Sequence, residues 1–223
     1  TINLHLKPFI GAKKLQGVRP EHVQAAMNAL VSTGKAPATV RKARALLHAA
    51  LDQAVVNRLI LHNPSDRTTL PKMEQKEIRF FTVDEQKRFV EALPDSTAGR
   101  ALYFVLGTGI RAAELTGLRW SDIQGDGFTI AQTIRRNRNF AEASERRTAL
   151  QTSTPKTRAG RRSIPLSPKM KEILAVQRRK QLETRLKAGP SWNEQDLVFC
   201  SEIGTPFEGR NMTRVLHRTL IKA

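Results

Sequence analysis

The sequence predicts a mainly α-helical protein with a small antiparallel β-sheet, arranged as an all-helical first part and a mixed α+β second part. Three observations carry this expectation. Apolar residues recur at helical spacing through residues 1–66. The stretch 63–82, NPSDRTTLPKMEQKEIRFFT, has two prolines, mixed charge and little periodicity. It places a helical domain at 1–66, a linker at 67–80 and a second domain at 81–223. Between 125 and 166 the pattern then changes from helical spacing to alternation.

Each element has its own signal. VRPEHVQAAMNALVSTG (18–34) carries Pro20 near its start and Gly34 just past its end, the asymmetry expected of a helix. Residues 36–60 read as a long amphipathic helix with the apolar stripe Val40, Ala43, Leu47, Ala50, Leu51 and Ala54. Beside it runs a basic stripe of Arg41, Arg44 and His48, with Lys42 adjacent. Such a stripe is either a solvated face or a surface that meets nucleic acid. Thr82 caps a helix over 81–93, a second helix covers 97–106, and a third opens at Thr108. GDGFTIAQTI (125–134) places Phe128, Ile130 and Ile134 on a strand after a glycine-rich turn. Residues 148–156 and 161–166 are expected to pair as a hairpin that turns near Ala159-Gly160, with Pro155 confining its strand to an edge or a bulge. The polar run Arg135–Arg147 reads as a mobile loop. Ser167-Pro168 opens a helix reaching about residue 188, DLVFC (196–200) is a short strand, and 209–223 is a last helix.

Composition narrows the partners. The 223 residues hold 38 Lys+Arg against 20 Asp+Glu, a net charge of +18, and such an excess repels itself unless a polyanion neutralises it. Between Lys156 and Lys180 nine basic residues face one acid, Glu172, which fits a phosphate-tracking surface better than a mixed solvated face. The longest apolar run, around Leu102–Leu106, is far too short to span a bilayer. No basic segment followed by an apolar stretch marks a secretory signal, and the start at Thr1, in mid-pattern, is expected of a trimmed chain. The single cysteine, Cys200, excludes a disulfide framework and a cysteine-based zinc site; five scattered histidines argue against a metal enzyme. Aromatics at 5% and without an RNA-stacking pattern argue against an RNA-binding module.

The most telling stretch is GTGIRAAELTGLRWSDI (107–123). Read as one helix, it puts Arg111, Leu115 and Leu118 on a single face, which should be core. An arginine there needs a partner, because an unpaired buried charge costs several kcal/mol. Glu114, three residues on, can hold it as a purely structural pair. The other reading is that Arg111 serves an anion from outside, its planar fork suiting two phosphate oxygens beside the free N–H groups of a helix start.

This string resembles the first arginine box of the tyrosine recombinases, the phage-integrase family, written T-G-x-R-x-x-E-L-x-x-L-x-W-x-D-I. TPKTRAGRRSIPL (154–166) is similar to the family's β-hairpin motif K-T-x-x-x-x-R-x-I-P-L. Residues 36–72 resemble the end of its helical, SAM-like core-binding domain and the linker. The resemblance implies a core-binding domain followed by an integrase-type catalytic domain. It further implies that Arg111 binds non-bridging oxygens of the scissile phosphate and that Glu114 supports it. Lys156 becomes the hairpin lysine that protonates the departing 5′ oxygen. Arg41, Lys42, Arg44, His48, Arg158, Arg161 and Arg162 are expected to contact DNA.

The family cuts and rejoins DNA through a 3′-phosphotyrosyl link, with no metal and no small-molecule cofactor. Its His-x-x-Arg box and tyrosine nucleophile have no counterpart up to Ala223, and Tyr103 lies on the wrong side of the arginine box, where it reads as core. The catalytic domain is therefore expected to be incomplete at its C-terminus, and this segment to bind DNA without cleaving it. The implied partners are a double-stranded recombination site and other protomers in a synaptic tetramer, in a bacterial, DNA-associated cytoplasmic protein. The alternative is a non-catalytic repressor or directionality factor on the same fold.

Overall fold

Proline-led helices organise the first of two compact units, Thr1–Arg79. The computed structural model describes residues 1–73, 77, 79–138, 148–154 and 160–223. A π-helical turn (Ile2–Leu6) leads into α1 (Lys7–Ile10), followed by α2 (Pro20–Ser32) and α3 (Pro37–Val56). Proline stands at the first position of α2 and α3, where its missing N–H costs nothing. Leu6, Ile10, Ala26, Met27, Leu30, Val40 and Ala43 bury together as the core of this unit. Ala50, which the spacing places on the apolar stripe of α3, is exposed instead.

The chain after α3 folds back on the helices. Asn63 Nδ2 donates to the His48 carbonyl and to Asp52, while its Oδ1 accepts from the Ser65 backbone and hydroxyl. Gln24 and Thr69 exchange two hydrogen bonds, and Leu70 packs on the core.

The second unit, Phe80–Ala223, is mixed. Its α4 (Val83–Glu91) starts with a reciprocal cap in which Thr82 and Glu85 each accept the other's backbone N–H. Ser96 caps α5 (Thr97–Thr108) and Ser167 caps α7 (Pro168–Ala188). Between them lie the single turn α6 (Ala112–Leu115) and the strands β1 (Ile123–Gln124), β2 (Gly127–Thr129), β3 (Thr133–Arg138), β4 (Thr148–Ser153) and β5 (Ser163–Pro165); α8 (Gly209–Lys222) follows. Among the described residues the strands form two antiparallel sheets, ordered β1-β2-β5 and β3-β4. The fold is thus mainly α with small antiparallel sheets.

Several sequence expectations need correction here. Residues 148–153 pair with β3, in the register Thr133↔Ser153 to Arg138↔Thr148, and not with 161–166. The partner of β5 is β2, which sets Phe128 opposite Ile164. The reason is burial: Phe128 and Ile164 both reach the main core, whereas Leu150 packs with Ile134, Leu197 and Cys200 in a separate cluster. Phe128 and Ile134 consequently lie in different sheets. DLVFC forms no strand; it contributes only single bridges, Arg119↔Leu197 and Cys200↔Pro206. The expected turn at Ala159 and the Pro155 edge fall in 155–159, and 139–147 of the expected loop likewise lie outside the described residues. Residues 135–138, expected in that loop, stand in β3 instead, paired with β4.

The core of the second unit is built round Phe104, whose ring lies 5.4 Å from Phe128 and 5.7 Å from Phe199. Leu115, Ile130, Met170, Leu174 and Met212 complete it, with Tyr103 packed at its edge. Phe104 is wholly buried. Phe104→Ala is therefore expected to destabilise this unit by about 3–5 kcal/mol, read as a lower urea midpoint at unchanged slope. No helix among the described residues is long and apolar enough to cross a membrane.

Candidate active site

The stretch around Arg111 is not one helix. Thr108 ends α5, its hydroxyl donating back to the Phe104 carbonyl, and Gly109 follows in the left-handed region at φ 65°. A side chain there would carry the left-handed penalty of about 1 kcal/mol, so glycine suits the reversal. Ile110 then drops into the core, and Arg111 becomes the N-cap of α6 with extended backbone. The expectation that Arg111 shares an apolar face with Leu115 and Leu118 is corrected: both leucines are buried, but the Arg111 side chain is 68% exposed. A four-residue helix also has little macrodipole, so attraction for an anion must come from the guanidinium itself.

Glu114 organises the site. Its side chain is only 6% exposed, and four N–H donors converge on it. Oε1 accepts from Arg111 Nη1 at 2.8 Å and Arg162 Nη1 at 3.0 Å. Oε2 accepts from Arg162 Nη2 at 2.9 Å and the Arg111 backbone at 3.0 Å. Four bonds use the full acceptor capacity of a carboxylate. Burial pushes its pKa up, but the Arg162 hydrogen bond, then those from the Arg111 backbone and side chain, outweigh it and hold the carboxyl at about 2. Glu114 is ionised at any working pH. Among the described residues Arg111 makes no other side-chain hydrogen bond, so most of its fork faces outward.

The neighbouring elements fix this arrangement. Past α6, the Thr116 hydroxyl donates to the Ile134 carbonyl at 2.9 Å, and Gln132 Nε2 donates to the Gly117 carbonyl at 2.9 Å. Trp120 donates from its indole to Gln181 of α7 at 2.7 Å and lies under the Arg178 guanidinium at 5.0 Å. Arg162 approaches from the start of β5, where its carbonyl accepts the Ile130 N–H at 3.0 Å and continues the β2–β5 ladder.

Of the residues singled out from sequence, the structure brings together Arg111, Glu114 and Arg162. Arg161 is exposed beside them in the chain; Lys156 and Arg158 lie outside the described residues. The basic stripe belongs to the helical unit. Lys42 is exposed, but Arg41 donates to the Pro71 carbonyl and Arg44 to the Ser65 carbonyl. The His48 ring nitrogens face Asp52 at 2.9 Å and Asp66 at 3.1 Å. The partnership of Arg162 with Glu114 was not anticipated, although a signal existed. Arg162 and Ile164 are two apart on a strand and so share a face, and Ile164 packs on the core. A groove of about 1100 Å³ in this unit, lined by Arg100, Gln177, Gln181, Trp192 and Phe207 among others, includes none of the three. Arg111 opens the cluster to the surface, its side chain being 68% exposed.

No family model matches the chain. It is 25% identical over 235 aligned residues to a tyrosine recombinase XerC-like protein of Caldanaerobacter subterraneus subsp. tengcongensis, an alignment covering 98% of this chain and 60% of that protein. The chain thus spans about three-fifths of that relative. Among solved structures, the Tn1549 transposon integrase in complex with a circular intermediate DNA superposes with a TM-score of 0.75 at 17% identity, covering 96% of this chain and 68% of that one. A lambda integrase dimer bound to a COC′ core site gives 0.68 at 19% identity, covering 98% and 67%.

Proposed function

We propose, for a chain that falls in the tyrosine recombinase family by sequence and fold, that it forms part of a site-specific DNA recombinase which cuts and rejoins strands through a 3′-phosphotyrosyl intermediate. The observation that carries the reading is the exposed Arg111 fork held by a buried, fully ionised Glu114. A cation so oriented and so exposed suits one phosphate of an extended polyanion. Arg111 takes the non-bridging oxygens of the scissile phosphate, where charge grows as the nucleophile attacks. Glu114 holds it there. Lys156 donates the proton to the leaving 5′ oxygen, so no metal enters the proposed chemistry.

In this proposal residues 1–66 are the core-binding domain, 67–80 the linker and 81–223 the catalytic domain. Both domains contact DNA, and paired sites are joined in a tetramer. Arg41, Lys42, Arg44 and His48 contact DNA from the helical domain, and Arg158 and Arg161 from the catalytic one. The proposed setting is the bacterial cytoplasm, at a mobile element's DNA. The charge of +18 supports electrostatic binding. If about 6–10 phosphates are contacted, affinity should fall some 10³–10⁵-fold between 50 and 200 mM salt, measured by fluorescence anisotropy; a flat response would count against the interface.

The test of the reaction uses the full-length protein that carries this chain. It is incubated with nicked duplexes bearing the sequence it selects from a random pool, and a protein–DNA adduct that survives denaturation is sought. A covalent band supports the recombinase. Salt-sensitive binding with no band would turn the reading to a non-catalytic repressor or directionality factor.

A further inference from the structure

Glu114 cannot orient Arg111 by itself. A carboxylate buried this deeply loses its hydration, and one pair with an exposed arginine contributes little to offset that loss. The second arginine supplies what is missing. Arg162 places two parallel N–H groups on the two oxygens, the bidentate geometry that fixes both position and plane. It is also the better-anchored partner. Its backbone is tied into the β2–β5 sheet through Ile130, two residues from core-packed Ile164, whereas Arg111 sits on a single helical turn. Its side chain is 32% exposed against 68% for Arg111, so less of it is offered to a ligand.

We propose that Arg162 is a positioning residue of the recombinase site: clamped bidentately on Glu114, it fixes that carboxylate against the sheet so that Glu114 presents the Arg111 guanidinium to the scissile phosphate. The inference rests on the reading of Arg111 given above. It reassigns Arg162, grouped by sequence with the DNA contacts, to a role exerted through another residue. Removal of Arg162 should then impair chemistry more than binding, because the phosphate loses orientation and not a contact. Glu114 would keep only the Arg111 donors, and its carboxyl should rise toward the ordinary range.

The experiment compares Arg162→Gln and Arg162→Lys with the unaltered full-length protein on the nicked duplexes described above. Three readouts are taken: the adduct rate under single-turnover conditions, the dissociation constant for DNA, and the pH dependence of the rate. For Arg162→Gln the expected result is a rate at least about tenfold lower, DNA affinity within about threefold, and an inflection on the acid side that moves upward. Arg162→Lys should recover part of the rate, since it restores the charge but not the fork. An unchanged rate and acid limb in a folded Arg162→Gln would overturn the inference and leave the recombinase reading standing. So would equal losses of rate, binding and thermal stability with no movement of the acid limb, the mark of a purely structural role. If Arg162→Gln does not fold, Arg162→Lys decides: a lowered rate at wild-type Tm supports the inference, and a wild-type rate overturns it. No adduct from the unaltered protein would overturn both.

Discussion

Arg111→Ala in the full-length protein is expected to lower the adduct rate by about 10²–10³-fold while weakening DNA binding by less than about tenfold. The asymmetry follows from what the side chain meets in each state. In the bound ground state it is one cation among the many that a chain of +18 can bring to a duplex, so its loss removes a small part of the total. In the proposed transition state it would face the one phosphate whose charge is rising, with its Nη1 already hydrogen-bonded to Glu114. Arg111→Lys should recover little, because a point charge cannot span two phosphate oxygens. Loss of DNA binding and of chemistry in equal measure, in a folded variant, would remove Arg111 from the catalytic role.

Glu114→Gln should lower stability in a way that depends on pH. The carboxyl is held at about 2 against an ordinary value of 4.5, a displacement worth about 3 kcal/mol of differential interaction. The sign follows from the lowered value. The native state binds its proton less readily than the unfolded chain, so the contribution is complete above pH 4.5. It declines as pH falls from 4.5 and is lost on passing about 2. At pH 7 the variant should melt roughly 6–12 °C lower, given that about 1 kcal/mol shifts a unit of this size by 2–4 °C. The gap between wild type and variant should close as pH drops toward 2. Calorimetry at pH 7, 4 and 2.5 reads both effects. A gap that stays constant across that range would mean that Glu114 stabilises by packing and not by charge.

Much of the helical framework is legible without coordinates. The prolines at 20 and 37, the capping exchange of Thr82 with Glu85 and the Ser167-Pro168 start all act within one turn of chain, and each begins the helix its spacing predicts. The pairing of Arg111 with Glu114 is of the same kind, since three residues separate them. The face on which that pair sits was not legible. Helical periodicity carried through residues 107–123 buries Arg111, but Gly109 in a left-handed conformation breaks the pattern and turns the side chain outward. Glycine tolerates that conformation without demanding it, so the break is not written in the spacing.

The remaining differences share one physical origin, contacts between residues distant along the chain. His48 meets Asp66 across 18 residues, and Arg162 reaches Glu114 across 48. Strand pairing behaves in the same way. The segment 148–153 alternates weakly enough to suit either neighbour, and the choice fell to burial, because Ile164 fits against the core opposite Phe128 while Leu150 joins Ile134 and Leu197. Local spacing and caps were enough to establish most of the helices, net charge pointed to a polyanion, and the motif resemblance singled out the first arginine with its acid. The orientation of that arginine, and the second arginine that completes its support, came from packing: a carboxylate taken out of water had to be met by donors from wherever the sheet delivered them.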